Sequence, residues 1–216
     1  MKNGMEITEE IVGHALMLGA DVGGSLPAAL LTDCPSARAD NGQGSVRDQG
    51  TYIIIGLFHD PATPEMDYWE EGRGTPGDRQ LGAIGRRLAG WLHETYAINA
   101  ELIPYQLYDG GIYLKDAAVL AKIGSIGRNN LVLVPGYGPR IRFRAVWADI
   151  ESVLPAPVDH TNPCMKCPGY CQNACPMRAF ETGIYSRERC LERMDADKMR
   201  GKERIDYCRR CELACP

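Results

Sequence analysis

Eight of the nine cysteines of this 216-residue chain lie in its last 53 residues. The first run is Cys164-Met-Lys-Cys167-Pro-Gly-Tyr-Cys171-Gln-Asn-Ala-Cys175-Pro176; the second is Cys190, then Cys208-Arg-Arg-Cys211-Glu-Leu-Ala-Cys215-Pro216. In the bacterial ferredoxin pattern three close cysteines are followed by a fourth that precedes proline and ligates the other cluster. Applied here, the rule closes. One 4Fe–4S cluster takes Cys164, Cys167, Cys171 and Cys215, and the other takes Cys208, Cys211, Cys190 and Cys175. A cubane needs four thiolates converging on its iron corners, and two cysteines separated by two residues reach neighbouring irons from one tight turn. Proline after the fourth cysteine ends the turn and sets the chain direction.

Two details depart from the usual run. Cys167 and Cys171 are three residues apart, with Pro168-Gly169 offering a turn that lets the extra residue bulge outward. The gap from Cys190 to Cys208 implies an inserted segment. Structural zinc also uses Cys-x2-Cys pairs but does not call for two Cys-Pro endings. Disulfides are disfavoured by a reducing cytosol. One cluster or a three-iron variant is the remaining alternative. Cys34, far from the others, reads as a buried or incidental thiol.

The remaining length suits one α/β domain of roughly 150 residues before the cysteine module, hence an α+β (α/β) chain divided at 1–157 and 158–216. The 24 Lys and Arg against 28 Asp and Glu, net −4, give no electrostatic argument for nucleic acid. No apolar run approaches the roughly 18 residues of a membrane span. The N-terminus opens into a helical pattern without a secretory or twin-arginine leader, so the expectation is a cytoplasmic protein with no membrane contact.

Along the chain, residues 7–19 read as a helix with Thr8 as N-cap and Gly19 at its end. Thr51–Phe58 is a continuous apolar, β-branched run and predicts a buried strand. Residues 59–78 form a long polar loop. Residues 79–96 are an amphipathic helix burying Leu81, Ile84, Leu88 and Trp91/Leu92. A strand over 98–105 and a helix over 113–122 follow. Gly124–Asn130 makes a tight turn, and Leu131–Val134 and Arg140–Asp149 are strands joined by a hairpin-like loop. Arg140, Arg142 and Arg144 alternate with Ile141, Phe143 and Ala145, which puts the arginines on one face, read as solvated or as a cofactor contact. A proline-rich link spans 151–163. Lys198–Arg210 is basic and reads as a solvated helix or as a docking face.

With these residues in view, the chain resembles a known group. Leu107-Tyr-Asp-Gly-Gly-Ile-Tyr-Leu-Lys-Asp-Ala-Ala-Val-Leu-Ala-Lys-Ile-Gly-Ser-Ile-Gly-Arg-Asn129, two strands, a proline-rich link and the double Cys-Pro motif look like epoxyqueuosine reductase and the reductive dehalogenases. Leu18-Gly-Ala-Asp21 followed by Gly23 looks like the family's opening helix and turn. The resemblance implies a nitroreductase-like core followed by a ferredoxin-like two-cluster module. It implies a bound cobalamin or other corrinoid with its lower base displaced. Electrons would run from the distal to the proximal cluster and on to cobalt, with an Asp or Tyr as acid.

At the acid position the sequence offers Tyr108, with Asp109 adjacent; an ordinary turn is the plain reading of Asp109-Gly110. Gly124, Ser125, Gly127, Arg128 and Asn129 could cradle the cofactor through backbone N–H groups, or simply permit the turn. Arg142 could contact a corrinoid phosphate or amide. The chain stops at Pro216, where epoxyqueuosine reductases continue into a tRNA-holding helical-repeat domain, so the expectation is a small-molecule substrate rather than tRNA. A ferredoxin or flavodoxin would supply electrons, and a homodimer would cover the exposed flank. The alternative is a non-catalytic electron-transfer protein serving a separate partner. A flavin-using relative is a third reading without a flavin signature.

Overall fold

The computed structural model describes residues 4–39, 47–151 and 162–216. In chain order the first half runs α1 (Gly4–Met17), β1 (Val22–Pro27), α2 (Pro35–Ala39), β2 (Thr51–Phe58), β3 (Trp69–Glu70) and α3 (Pro76–Tyr96). There follow β4 (Ala100–Leu102), α4 (Leu114–Leu120), β5 (Ser125–Ile126), β6 (Val132–Leu133), β7 (Ile141–Ala148), α5 (Tyr170–Ala174), α6 (Arg187–Arg200), β8 (Arg204–Ile205) and α7 (Arg210–Leu213). The mixed α+β class expected from the sequence is the one observed. Among the described residues no helix is long and apolar enough to cross a membrane.

The elements fall into two compact units that interleave along the chain. The first comprises Met1–Leu57, Gln80–Ile123 and Arg142–Val158; the second comprises Phe58–Arg79, Gly124–Ile141 and Asp159–Pro216. The proline-rich link read over 151–163 lies, from 152 to 161, outside the described residues.

The first unit is built on a four-stranded sheet in the order β1-β2-β7-β4, with β1–β2 and β4–β7 antiparallel. The Thr51–Phe58 run becomes β2, flanked by β1 and β7, and Tyr52, Ile53, Ile54 and Ile55 are wholly buried. A strand shielded on both faces has no reason to alternate polar and apolar residues. Successive residues of β1 point to opposite faces, and its glycines show what lies on each. A Cβ on Gly23 would sit 3.1 Å from Val12 of α1, and one on Gly24 would sit 2.7 Å from the Ala121 carbonyl after α4. α3 packs through Leu81, Ile84, Leu88 and Leu92, the face its periodicity predicts. Its Trp91 ring stacks on His14 of α1 with centroids 3.9 Å apart.

Several local expectations need correction. α1 starts at Gly4, so Thr8 lies buried inside the helix rather than capping it. The other end does follow expectation: Gly19 has φ +106°, and Ala20 and Gly19 donate to the Ala15 and Leu16 carbonyls, which closes the helix as a Schellman motif. α3 begins three residues early because Thr75 Oγ1 accepts the Asp78 N–H at 3.1 Å and Pro76 takes the first helical position. The strand after it is limited to Ala100–Leu102. β6 and β7 are not a hairpin pair, since β6 pairs back with β5 and β7 enters the central sheet. Centrality also removes the basic solvated face. Arg144 is buried, donates to the Ile103 carbonyl at 3.3 Å and lies over the Tyr105 ring.

The second unit carries two small antiparallel ladders. β5 pairs with β6 (Ser125 with Leu133), and β3 pairs with β8 (Trp69 with Ile205). The 59–78 segment read as a loop therefore contributes a strand, together with the 3-10 turn Pro64–Asp67.

Two glycines should respond to alanine with opposite sign. Gly24→Ala forces a methyl against the Ala121 backbone and should destabilise by about 1–3 kcal/mol. Gly90, exposed in α3 with no described atom within 4 Å of an added Cβ, should gain about 0.5–1 kcal/mol as alanine. Urea unfolding of both variants beside the parent chain measures the pair.

Candidate metal centre

The cysteine turns are set by local backbone chemistry. Asn162 caps the first: its Oδ1 accepts the Cys164 N–H at 3.0 Å, and its Nδ2 donates to the Ile126 carbonyl. Pro163–Met165 forms a 3-10 turn that carries Cys164. Between Cys167 and Cys171 the three-residue spacer is absorbed at Gly169, whose φ of +84° starts α5 while Tyr170 stands out to solvent. Ser186 Oγ accepts the Arg189 N–H and starts α6, which holds Cys190. The inserted segment between Cys190 and Cys208 is thus mostly helix. It returns through Asp197, a buried carboxylate that accepts the Cys208 N–H at 3.0 Å and pairs with Arg193.

These turns gather the cysteines into two sets. Burial raises the Cys215 thiol first, and the thiolates of Cys171, Cys164 and Cys167 push it further, against a lowering by Arg140. Burial likewise raises Cys171, with a smaller contribution from Cys164 and Cys167. In the second set Cys211 is pushed up to about 12, by burial first and then by Cys190, Cys175, Cys208 and the Glu212 carboxylate. Those are the fours named by the spacing rule, met here as neighbouring thiols. All eight are free of disulfides.

Three sulfurs receive backbone N–H donors at 3.4 Å: Cys164 from Arg128, Cys167 from Gly169 and Cys175 from Ala179. Burial, ahead of the neighbouring Cys190, holds the Tyr185 phenol above its ordinary range. Among the described residues no three His, Cys, Asp or Glu side chains are placed to hold a single metal ion. A cubane asks for a different arrangement, because it spreads its cysteine sulfurs over four iron corners. Clustered thiols that repel one another as thiolates are a donor set suited to a cationic iron core, which deprotonates what it binds.

The other sequence-named residues divide. Arg128 belongs with the cysteines: besides its N–H on Cys164, its guanidinium donates to the Cys167 carbonyl at 3.2 Å. Gly124 and Gly127 have steric reasons to be glycine. A Cβ at Gly124 would lie 2.3 Å from the Leu133 carbonyl, and one at Gly127 would lie 2.8 Å from Asn129 Oδ1. Asn129 is buried and its Oδ1 accepts the Leu131 N–H, which shapes the β5–β6 turn. Ser125 opens β5 and lines a cavity of about 480 Å³ with Pro135, Gly138, Cys164, Cys167 and Cys215. Arg142 is half-buried on β7. Tyr108 and Asp109 share the 3-10 turn Leu107–Asp109, closed by Gly110 at φ +94°; both are exposed, Tyr108 by 85%.

Sequence reasoning missed several partners. Arg140 donates to the Cys215 carbonyl at 2.9 Å, a role its place in an alternating strand pattern concealed. The basic stretch 198–210 is not one solvated helix. α6 ends at Arg200, Arg204 pairs with Glu70, and the largely covered Arg209 pairs with Asp67 and Glu212. His59 and Asp67 carried no signal: they meet each other within the polar loop, and Asp67 meets Arg209 far along the chain.

The sequence matches no family model and no curated protein. Solved structures do resemble it. An epoxyqueuosine reductase determined with an epoxyqueuosine-modified tRNA-Tyr stem loop superposes with a TM-score of 0.70 at 18% identity, over 99% of this chain and 66% of that one. The catabolic reductive dehalogenase NpRdhA, in complex with 3-bromo-4-hydroxybenzoic acid, gives 0.72 at 18% identity over 100% of this chain and 32% of that one. A reductive dehalogenase described for B12-dependent dehalogenation gives 0.60 at 17% identity over 82% and 26%. The chain therefore has the fold shared by epoxyqueuosine reductases and reductive dehalogenases. It spans about two thirds of the former's length and about a third of the latter's.

Asp197→Ala should destabilise the protein by about 2–4 kcal/mol. It orphans the Cys208 N–H and removes the carboxylate from Arg193, which keeps some access to water. Anaerobic urea titration measures this loss.

Proposed function

We propose that the chain is an iron–sulfur redox protein. Cys164, Cys167, Cys171 and Cys215 would hold one 4Fe–4S cluster, and Cys175, Cys190, Cys208 and Cys211 the other. The carrying observation is the gathering of eight disulfide-free thiols, all partly or wholly covered, into two fours. Residues 158–216 would serve as the cluster module and 1–157 as the core for a corrinoid, a cofactor class supported by the B12-dependent dehalogenase of like fold. A bound corrinoid would supply a cobalt centre that accepts the clusters' low-potential electrons for reduction of a small substrate.

The chain's own residues have definite tasks in this reading. The cysteines bind as thiolates, and the N–H groups of Arg128, Gly169 and Ala179 stabilise negative charge on three sulfurs. Arg140 and Arg128 fix the carbonyls of Cys215 and Cys167 and so hold the ligand turns in place. Ser125, Gly124, Gly127, Asn129 and Arg142 would border the cofactor. Tyr108 Oη or an Asp109 carboxyl oxygen would deliver a proton to substrate, and their exposure leaves them open to one. A ferredoxin or flavodoxin would be the electron donor. The same exposure supports a second reading, in which the chain passes electrons to a separate partner and neither residue is an acid.

Anaerobic purification followed by iron and sulfide analysis tests the clusters. Two four-iron clusters per chain are expected, with Cys211→Ser and Cys215→Ser each losing a different one in the EPR spectrum of the reduced protein. Cob(II)alamin added to the loaded chain should shift from its base-on to its base-off EPR signal at about one per chain. An unchanged cobalt signal with intact clusters selects the electron carrier, and absence of clusters overturns both readings.

A further inference from the structure

A chain of buried polar side chains ends at the turn that carries Cys208 and Cys211. His59, 1% exposed, places Nδ1 2.8 Å from Asp67 Oδ1. Asp67, 8% exposed, contacts the Arg209 guanidinium through its second oxygen. Arg209, 12% exposed, also donates from Nε to Glu212 Oε1 at 3.2 Å. Arg209 lies between the two cysteines, and Glu212 follows Cys211, whose thiol feels its charge.

None of this is surface decoration. Buried charges are costly unless paired, and removing one partner leaves the other uncompensated. The segment is also fixed sterically. His59 donates its N–H to the Arg140 carbonyl, and its ring lies so close to Gly77 that a Cβ there would be 2.3 Å away. His59 Nε2 finds no hydrogen-bond partner among the described residues.

We propose that the opposed charges of Asp67, held by His59, and of the Arg209 guanidinium paired with it set the reduction potential of the second cluster. This rests on the assignment of Cys175, Cys190, Cys208 and Cys211 to a cluster. Counting carboxylates and guanidinium alone, the network carries two negative charges and one positive. Cluster reduction adds an electron in the same poorly screened interior, where nearby charge and burial set the potential. Neutralising Asp67 removes a negative charge and favours reduction. Neutralising Arg209 leaves both carboxylates unopposed and disfavours it.

The test is an EPR-monitored redox titration of the cluster-loaded chain at mildly alkaline pH, with the second cluster identified as the one lost in Cys211→Ser. Asp67→Asn should raise its midpoint and Arg209→Gln should lower it, while the first cluster stays at its parent value. Arg209→Lys, which keeps the charge, should titrate near the parent and covers the case in which Arg209→Gln does not load. A merely structural role would move both variants the same way or only reduce occupancy. Shifts of equal sign, shifts confined to the first cluster, or no shift overturn the inference. A parent chain without two clusters defeats the underlying assignment instead.

Discussion

Four thiolates cannot share a buried pocket without a cation among them. Each loses hydration on burial, and each repels the other three at short range in a medium that screens poorly. Cys211, pushed up to about 12 by burial and its three neighbours, shows the size of the conflict. As thiols the set avoids the charge; as ligands to iron it is stabilised by it. Backbone N–H groups point at the sulfurs of Cys164, Cys167 and Cys175. Arg140 adds a full positive charge at Cys215. The turns around these sulfurs are held by caps and arginines.

Much of this was legible in the chain because it is local. Cysteine spacing follows from turn geometry, and the two Cys-Pro endings close the runs. β2 was legible from an uninterrupted apolar run, and α3 from its period. Errors arose where a residue's surroundings come from distant sequence. Arg144 looked solvated because its strand alternates, yet β7 sits between β2 and β4 and both faces are covered. Thr8 looked like a cap because capping residues look alike whether or not a helix has already begun.

Segment 59–78 carries the same lesson further. Its prolines and glycines read as a loop, and its length was the one sign of a function. Glu70 meets Arg79 nearby but also Arg204, and Asp67 meets Arg209. Periodicity and spacing do not register such contacts, because each partner alone is an ordinary surface residue type. Only pairing of β3 with β8 turns them into a buried network.

Of the two readings offered for the glycines of 124–127, the structure supplies the steric one. Their lack of a side chain is demanded by Leu133 and Asn129, so tight packing alone accounts for both. The next residue, Arg128, reaches the first cysteine turn with both its N–H and its guanidinium. Tight glycines bring the β5–β6 backbone close, and closeness lets Arg128 donate its N–H to the Cys164 sulfur. Steric and functional readings of the motif are thus two steps of one argument: the glycines are needed for the fold, and the fold places the arginine.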